Sequence, residues 1–160
     1  ARLIGRAAHL ACHFHDVGIL KRETVDPQIE GYFQSYVEFL RVSGAEILLS
    51  EERFMSKTWR FAGTVDRVVR INGVVGIADL KTGAVSRRAT EIQTAAYHVL
   101  VSENRPDLKP TQRYEIKLRE DGRMAAVIPF SILDLDRHIN IFLCANTVHA
   151  WKLNGGKSHA

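Results

Sequence analysis

Asp66, Asp79 and Lys81 are the residues of this chain whose types and spacing best suit chemistry. Between the two aspartates lies Asn72-Gly73, a dipeptide favoured in two-residue hairpin turns because both turn positions want positive φ. A two-residue loop there sets Ile71 opposite Val74 and, counting outward, Asp66 opposite Asp79, with Cβ atoms about 4.5–5.5 Å apart. Like charges so placed repel, so either one carboxylate stays protonated or a cation sits between them. Lys81, two residues beyond Asp79, points to the same face of its strand. Carboxylate oxygens suit Mg²⁺ or Mn²⁺, and an ammonium beside them suits a phosphate or an attacking water. A solvent-facing hairpin with scattered charges accounts for the same residues without chemistry, and a one-residue bulge would spoil the register.

The elements that must position these residues follow from periodicity. Residues 2–15 have helical spacing, with Leu3, Ala7, Leu10 and Phe14 on one stripe and Gly18 as a stop. Asp26-Pro27 reads as an N-cap with proline at the first helical position. The helix it opens carries Tyr32, Phe33, Tyr36, Val37 and Leu40, and Gly44 closes it. The period then changes. Residues 45–55, 61–71 and 74–80 read as strands, the last two rich in Val and Ile. Residues 88–102 return to helix, and 111–120 with 123–130 form a second hairpin around Asp121-Gly122. Ser131 with Asp134 resembles a capping box for a last amphipathic helix running to Leu153. The order α, α, β, β, β, α, β, β, α predicts an α/β domain with a mixed sheet flanked by helices.

Composition narrows the class. At 160 residues, 46% hydrophobic and 25% charged, the chain is expected to fold as one domain with a proper core. No apolar run reaches the roughly 18–20 residues of a membrane helix. The start at Ala1 without methionine reads as a trimmed or disordered N-terminus of a longer product. Two cysteines cannot build a disulfide framework or a four-thiolate metal site, so a reduced, cytoplasmic location is the default. A net charge of +4 permits a nucleic-acid partner without demanding one.

Four motifs stand in order: Gly5-x-x-x-His9, Gly63-Thr64-Val65-Asp66, Ile77-Ala78-Asp79-Leu80-Lys81-Thr82-Gly83, and Gln93-x-x-x-Tyr97. Together they resemble the PD-(D/E)XK nuclease superfamily, and within it the RecB-type branch that includes many phage and recombination exonucleases. The hairpin at Glu120-Asp121-Gly122-Arg123 and the closing helix also sit where related phage proteins have theirs, so the resemblance spans nearly the whole of residues 1–160. It implies a restriction-endonuclease-like α/β core. It implies a metal-dependent deoxyribonuclease of phage-like origin that leaves 5′-phosphate and 3′-hydroxyl ends, an exonuclease or end-processing enzyme. A non-catalytic DNA-binding module and a structure-specific endonuclease of the same fold are the alternatives.

Carried over by residue, His9, Asp66 and Asp79 are implied side-chain ligands of one or two Mg²⁺ or Mn²⁺ ions, with the Leu80 carbonyl adding an oxygen. Lys81 is implied to orient or deprotonate the attacking water and to stabilise the charged transition state. Gln93 and Tyr97, four apart on one helix face, are implied to support the site and contact the DNA backbone. DNA is the implied partner, with a recombination or replication protein beside it and the oligomeric state open. Some RecB-type nucleases hold an iron–sulfur cluster on four cysteines, which a chain with two cysteines cannot do.

Glu51 and Glu52 fall where related nucleases often carry another acid, and strand alternation places them on opposite faces. Glu51 is favoured as a further ligand, with a solvated strand position as the equal alternative. Arg87 and Arg88 follow the Lys81 loop and could grip DNA phosphates, although a solvated helix start explains them nearly as well. Lys57, Arg60, Lys117, Arg119 and Arg123 are lesser basic candidates. His13 and His15 lack the Glu of a zinc-protease helix and read as ordinary surface or core residues. Trp59 could stack on a base, whereas Trp151, Cys12 and Cys144 read as core.

Overall fold

A computed structural model describes residues 2–83 and 87–154. The chain runs through α1 (Arg2–Asp16), α2 (Glu30–Ser43), β1 (Glu46–Ser56), β2 (Phe61–Ile71), β3 (Val74–Lys81), α3 (Arg87–Asn104), β4 (Gln112–Lys117), β5 (Ala126–Phe130) and α4 (Leu135–Asn154). The five strands form one mixed sheet in the order β1-β2-β3-β4-β5. Only β3 and β4 are parallel, joined by the α3 crossover that a parallel pair requires. Among the described residues, no helix is long and apolar enough to cross a membrane.

Two apolar clusters hold the layers together. Ala8, Ala11 and Cys12 of α1 and Phe33, Tyr36 and Phe39 of α2 pack with Val69, Ala78, Leu80 and Ile116 of the sheet. Val65, Val68 and Ile77 pack with Ala96, Val99 and Leu100 of α3, with Phe142 of α4 against them. From Val68 onward the β2 residues, like those of β3, alternate between the two clusters, as a sheet covered on both faces demands, whereas Val65 shares the cluster of Val68 and breaks the alternation across Asp66 and Arg67.

Asn72 and Gly73 both have positive φ, 50° and 81°, and the β2–β3 register runs from Ile71 opposite Val74 to Arg67 opposite Ala78. No bulge interrupts it. The irregularity lies in β1, where the pairing with β2 shifts by one residue between Ile47 and Leu49. Gly44 at φ 62° caps α2, its N–H donating to the Leu40 carbonyl.

Several local expectations need correction. The buried stripe of α1 is Ala8, Ala11 and Cys12, whereas Leu3 and Leu10 are exposed. Small side chains let α1 lie close against its neighbours, and the larger leucines are turned outward. Helix α2 begins at Glu30, not beside Pro27, and Asp26 caps a turn by accepting from the Gln28 N–H. In the second hairpin the paired strands stop at Lys117 and Ala126. Beyond them α2 competes for the backbone, with Ser35 bonding the N–H groups of Arg119 and Ala125. Ser131 makes no side-chain cap and precedes a short 3₁₀ turn, so the capping box does not form. Trp151 and Cys144 are exposed on α4 rather than core: Cys144 lies on the outward side of the helix from the half-buried Phe142 and Leu143, and residues 147–153 are all exposed; Cys12 is buried.

Candidate active site

The site lies where β2 and β3 part. Their pairing ends at Arg67 and Ala78, and the Leu80 N–H donates to Asp66 Oδ2 at 2.6 Å instead of to a strand carbonyl. The Lys81 carbonyl accepts from Leu118 on the β4 side, so the backbone groups of Leu80 face β2 and its carbonyl lies on the edge beside Asp66. Asp66 and Asp79 are both buried, at 4% and 1% exposure. The shift in β1 decides what stands opposite Asp66: Ser50 pairs with Arg67 and Glu52 with Val65, which brackets Glu51 against Asp66. Glu51 itself has φ 51°, an unusual backbone for a non-glycine residue.

His9 reaches this point from α1. Its Nδ1 stands 3.5 Å from Asp66 Oδ2 and 3.8 Å from Glu51 Oε1. Gly5, one turn earlier, allows the approach, since a Cβ there would stand 3.0 Å from Thr82 Oγ1 in the turn after Lys81. His9, Glu51 and Asp66 each offer a ligand atom within 4.8 Å of the others. Asp79 is not part of that triad. Its Oδ2 is ion-paired with the Lys81 ammonium, which also donates to Gln93 Oε1 at 3.1 Å. Gln93 Nε2 donates in turn to the Tyr97 hydroxyl at 2.6 Å. Gln93 and Tyr97 thus act on Lys81 from one face of α3.

Neither Arg87 nor Arg88 contacts these groups. Arg87 lies 3.4 Å from Glu91 and over the Phe130 ring, and Arg88 lines a separate cleft with Asp134 and His138. Glu52 is exposed, Arg123 pairs with Asp121, and Trp59 is half-exposed in the turn between β1 and β2.

The residues that sequence reasoning missed are Arg67, Asp16 and Ser50. Arg67 is fully buried. Its Nη1 donates to Asp66 Oδ1 at 2.6 Å, and its Nε is paired with Asp16 Oδ2 at 2.7 Å. Asp16 also accepts from Tyr36 Oη at 2.7 Å and Ser50 Oγ at 2.8 Å, and His13 bonds the same serine. A charged pair inside the Val-rich run Val65-Asp66-Arg67-Val68-Val69 was a signal that Arg67 is buried; nothing local marked Asp16.

Charge coupling sorts the protons. Burial opposes a charged His9, yet Asp66, Glu51 and Asp79 outweigh it and push its pKa up to about 10. Burial likewise opposes a charged Asp66, but Arg67, His9 and the Leu80 N–H hold that carboxyl well below the usual range. Asp79 is pushed up to about 7 by burial and by the Asp66 charge, with Lys81 opposing. The two aspartates therefore differ: Asp66 stays ionised and Asp79 titrates near neutrality.

The sign of the resulting pH dependence follows. In the metal-free protein Asp79 (about 7 against 3.8) and His9 (about 10 against 6.5) hold their protons longer folded than unfolded. Their contribution to stability is fully present at low pH, and it is lost between about pH 4 and 7 for Asp79 and between about pH 6.5 and 10 for His9. The urea midpoint of the EDTA-treated protein is expected to fall from about pH 6 to 10, and His9→Gln to flatten the upper part of that fall.

The family model of the PD-(D/E)XK nuclease superfamily matches residues 4–138. No curated protein matches the chain. The matched span runs from the first turn of α1 into α4 and takes in His9, Glu51, Asp66, Asp79, Lys81, Gln93 and Tyr97, and with it the chain belongs to the PD-(D/E)XK nuclease superfamily.

Proposed function

We propose that this nuclease hydrolyses DNA phosphodiester bonds with a divalent ion, Mg²⁺ or Mn²⁺, leaving 5′-phosphate and 3′-hydroxyl ends. On this reading it works at DNA ends, as an exonuclease or end-processing enzyme of the RecB-type, phage-like kind serving recombination or repair. The described residues then act as one nuclease domain in the cytoplasm of a bacterial or phage-infected cell. The observation that carries the reading is the triad of His9, Glu51 and Asp66, three ligand atoms within 4.8 Å, beside the Asp79–Lys81 pair. One imidazole and two carboxylates suit a hard divalent cation. An ion held there would offset the phosphodiester charge and lower the pKa of its water.

The chain's own residues supply the rest. Lys81, held by Asp79 and Gln93, presents an ammonium to the charge that grows on the phosphate oxygens. Asp79, with its pKa pushed up to about 7, can take or return a proton beside that ammonium. The Leu80 carbonyl, on the strand edge that faces β2, would add a further oxygen. Arg6 and Arg53 line the same cleft of about 600 Å³ with His9, His13 and Glu51, and the positive potential of the two arginines would draw a phosphate chain toward it.

The test is cleavage of end-labelled linear duplex beside covalently closed circular DNA, each with Mg²⁺ or Mn²⁺, with EDTA and Asp79→Ala as controls. Metal-dependent loss of the linear substrate alone is expected, with the labelled products reporting polarity. Nicking of the circle would make the enzyme an endonuclease. Binding to DNA with no cutting of either substrate would overturn the catalytic reading in favour of a binding module.

A further inference from the structure

A second cavity, of about 520 Å³, opens between β2, α3 and α4. Its walls include Phe61, Ala96, Leu100 and Phe142, and its rim carries Thr64, Gln93 and Tyr97. Phe61 and Phe142 meet edge-on with ring centroids 4.7 Å apart. No charged side chain is among the described residues that line it. The polar cleft described above is the opposite, with Arg6, Arg53 and two histidines in its lining. Thr64 lines both cavities, and Gln93 of the apolar one holds Lys81.

This partition matches the two chemistries of a nucleotide. A phosphate cannot leave water for an uncharged apolar cavity without a large desolvation penalty, whereas the flat face of a base gains by doing so. Aromatic walls accept any base by its π face, and the hydroxyl and amide groups at the rim can meet its polar edge. We propose that the cavity between β2, α3 and α4 receives one unstacked nucleobase of the strand being cut, while the phosphates on its other side run through the arginine-lined cleft. The proposal rests on the nuclease reading of the His9–Glu51–Asp66 cleft. It has a direct consequence for substrate choice. A base can enter only after leaving its stack and its partner, which costs least in a single strand or a frayed end, so single-stranded ends are cut faster than blunt duplex ends.

The experiment uses a single-stranded oligonucleotide in which one abasic nucleotide is moved stepwise along the strand, with cleavage at each bond quantified. Removing the base is expected to slow cleavage of the bond adjoining it, on one side only, by roughly tenfold, the scale of a lost base–aromatic stack. Ala62→Trp and Ala89→Trp, both at exposed positions lining the cavity, should slow cleavage of the ordinary strand by a similar factor. They should also abolish the abasic penalty while keeping wild-type Mn²⁺ affinity. Equal rates on abasic and ordinary strands, or an abasic penalty that survives in both variants, would overturn the base site and leave the nuclease reading intact. Binding of a strand carrying one 2-aminopurine, measured in EDTA where no cutting occurs, separates the two readings. A change in its emission with the wild-type protein but not with Ala62→Trp supports the base site even where cleavage fails, and no change with either overturns it.

Discussion

Replacing Arg67 with alanine is expected to cost the fold about 3–5 kcal/mol, the scale for breaking a buried ion pair from one side. The guanidinium is fully buried and bridges Asp66 to Asp16 through different nitrogens. It also lies 3.6 Å from Glu51 and stacks over Tyr36. Without it Asp16 loses the guanidinium paired with it, and Asp66 keeps only the His9 imidazole as a cationic neighbour. Arg67→Lys should recover only part of the loss, because one ammonium cannot span the two carboxylates that the planar fork reaches. Asp16→Asn combined with Arg67→Met should be milder than Arg67→Ala, since the uncompensated charge on the α1 side is then gone. Urea unfolding of the metal-free variants reads all three, and an Arg67→Ala loss below about 1 kcal/mol, the range of exposed pairs, would show that water reaches this network.

Lys81→Ala is expected to lower the turnover of DNA cleavage by roughly 10²–10³-fold, the range for removing one preorganised group aimed at developing charge. Lys81 is the one group that opposes the upward push of burial and Asp66 on the Asp79 carboxyl most strongly, so its loss also leaves Asp79 more firmly protonated. The His9, Glu51 and Asp66 donors do not depend on Lys81 for position. Mn²⁺ affinity should therefore hold while the rate falls, a separation that initial rates with end-labelled DNA and a parallel Mn²⁺ titration can resolve. A folded Lys81→Ala protein with an unchanged rate would remove the lysine from the chemistry. Gln93→Ala should act in the same direction with a smaller effect, because it frees the ammonium without removing it.

Features that depend on near neighbours in the chain are legible in the amino-acid sequence. A tight turn at Asn72-Gly73 dictates its own register, so the pairing from Ile71–Val74 to Arg67–Ala78 follows by counting alone, but the ladder stops before Asp66 and Asp79 can pair across it. The β3–α3–β4 crossover follows from the change of period between residues 80 and 88, and the ordered motifs carry the family. Where separate elements have to meet, counting fails. Alternation says that Glu51 and Glu52 face opposite ways, but the one-residue shift in β1 near Leu48 decides which residue stands against Asp66.

Helix α1 shows the same limit. Its most apolar stripe runs through Leu3 and Leu10, yet it is Ala8, Ala11 and Cys12 that are buried, because close approach to the sheet is what brings His9 to the carboxylates. Arg87 and Arg88 stand close after the Lys81 turn in sequence and are turned by α3 toward Glu91 and α4. The Asn72-Gly73 hairpin and the order of elements are written in the sequence, since turn geometry and strand alternation are local. The support that Asp16 and Arg67 give Asp66, and the meeting of Glu51 with His9, arise in the folded arrangement, since burial and charge compensation between distant segments exist only once the chain has closed around them.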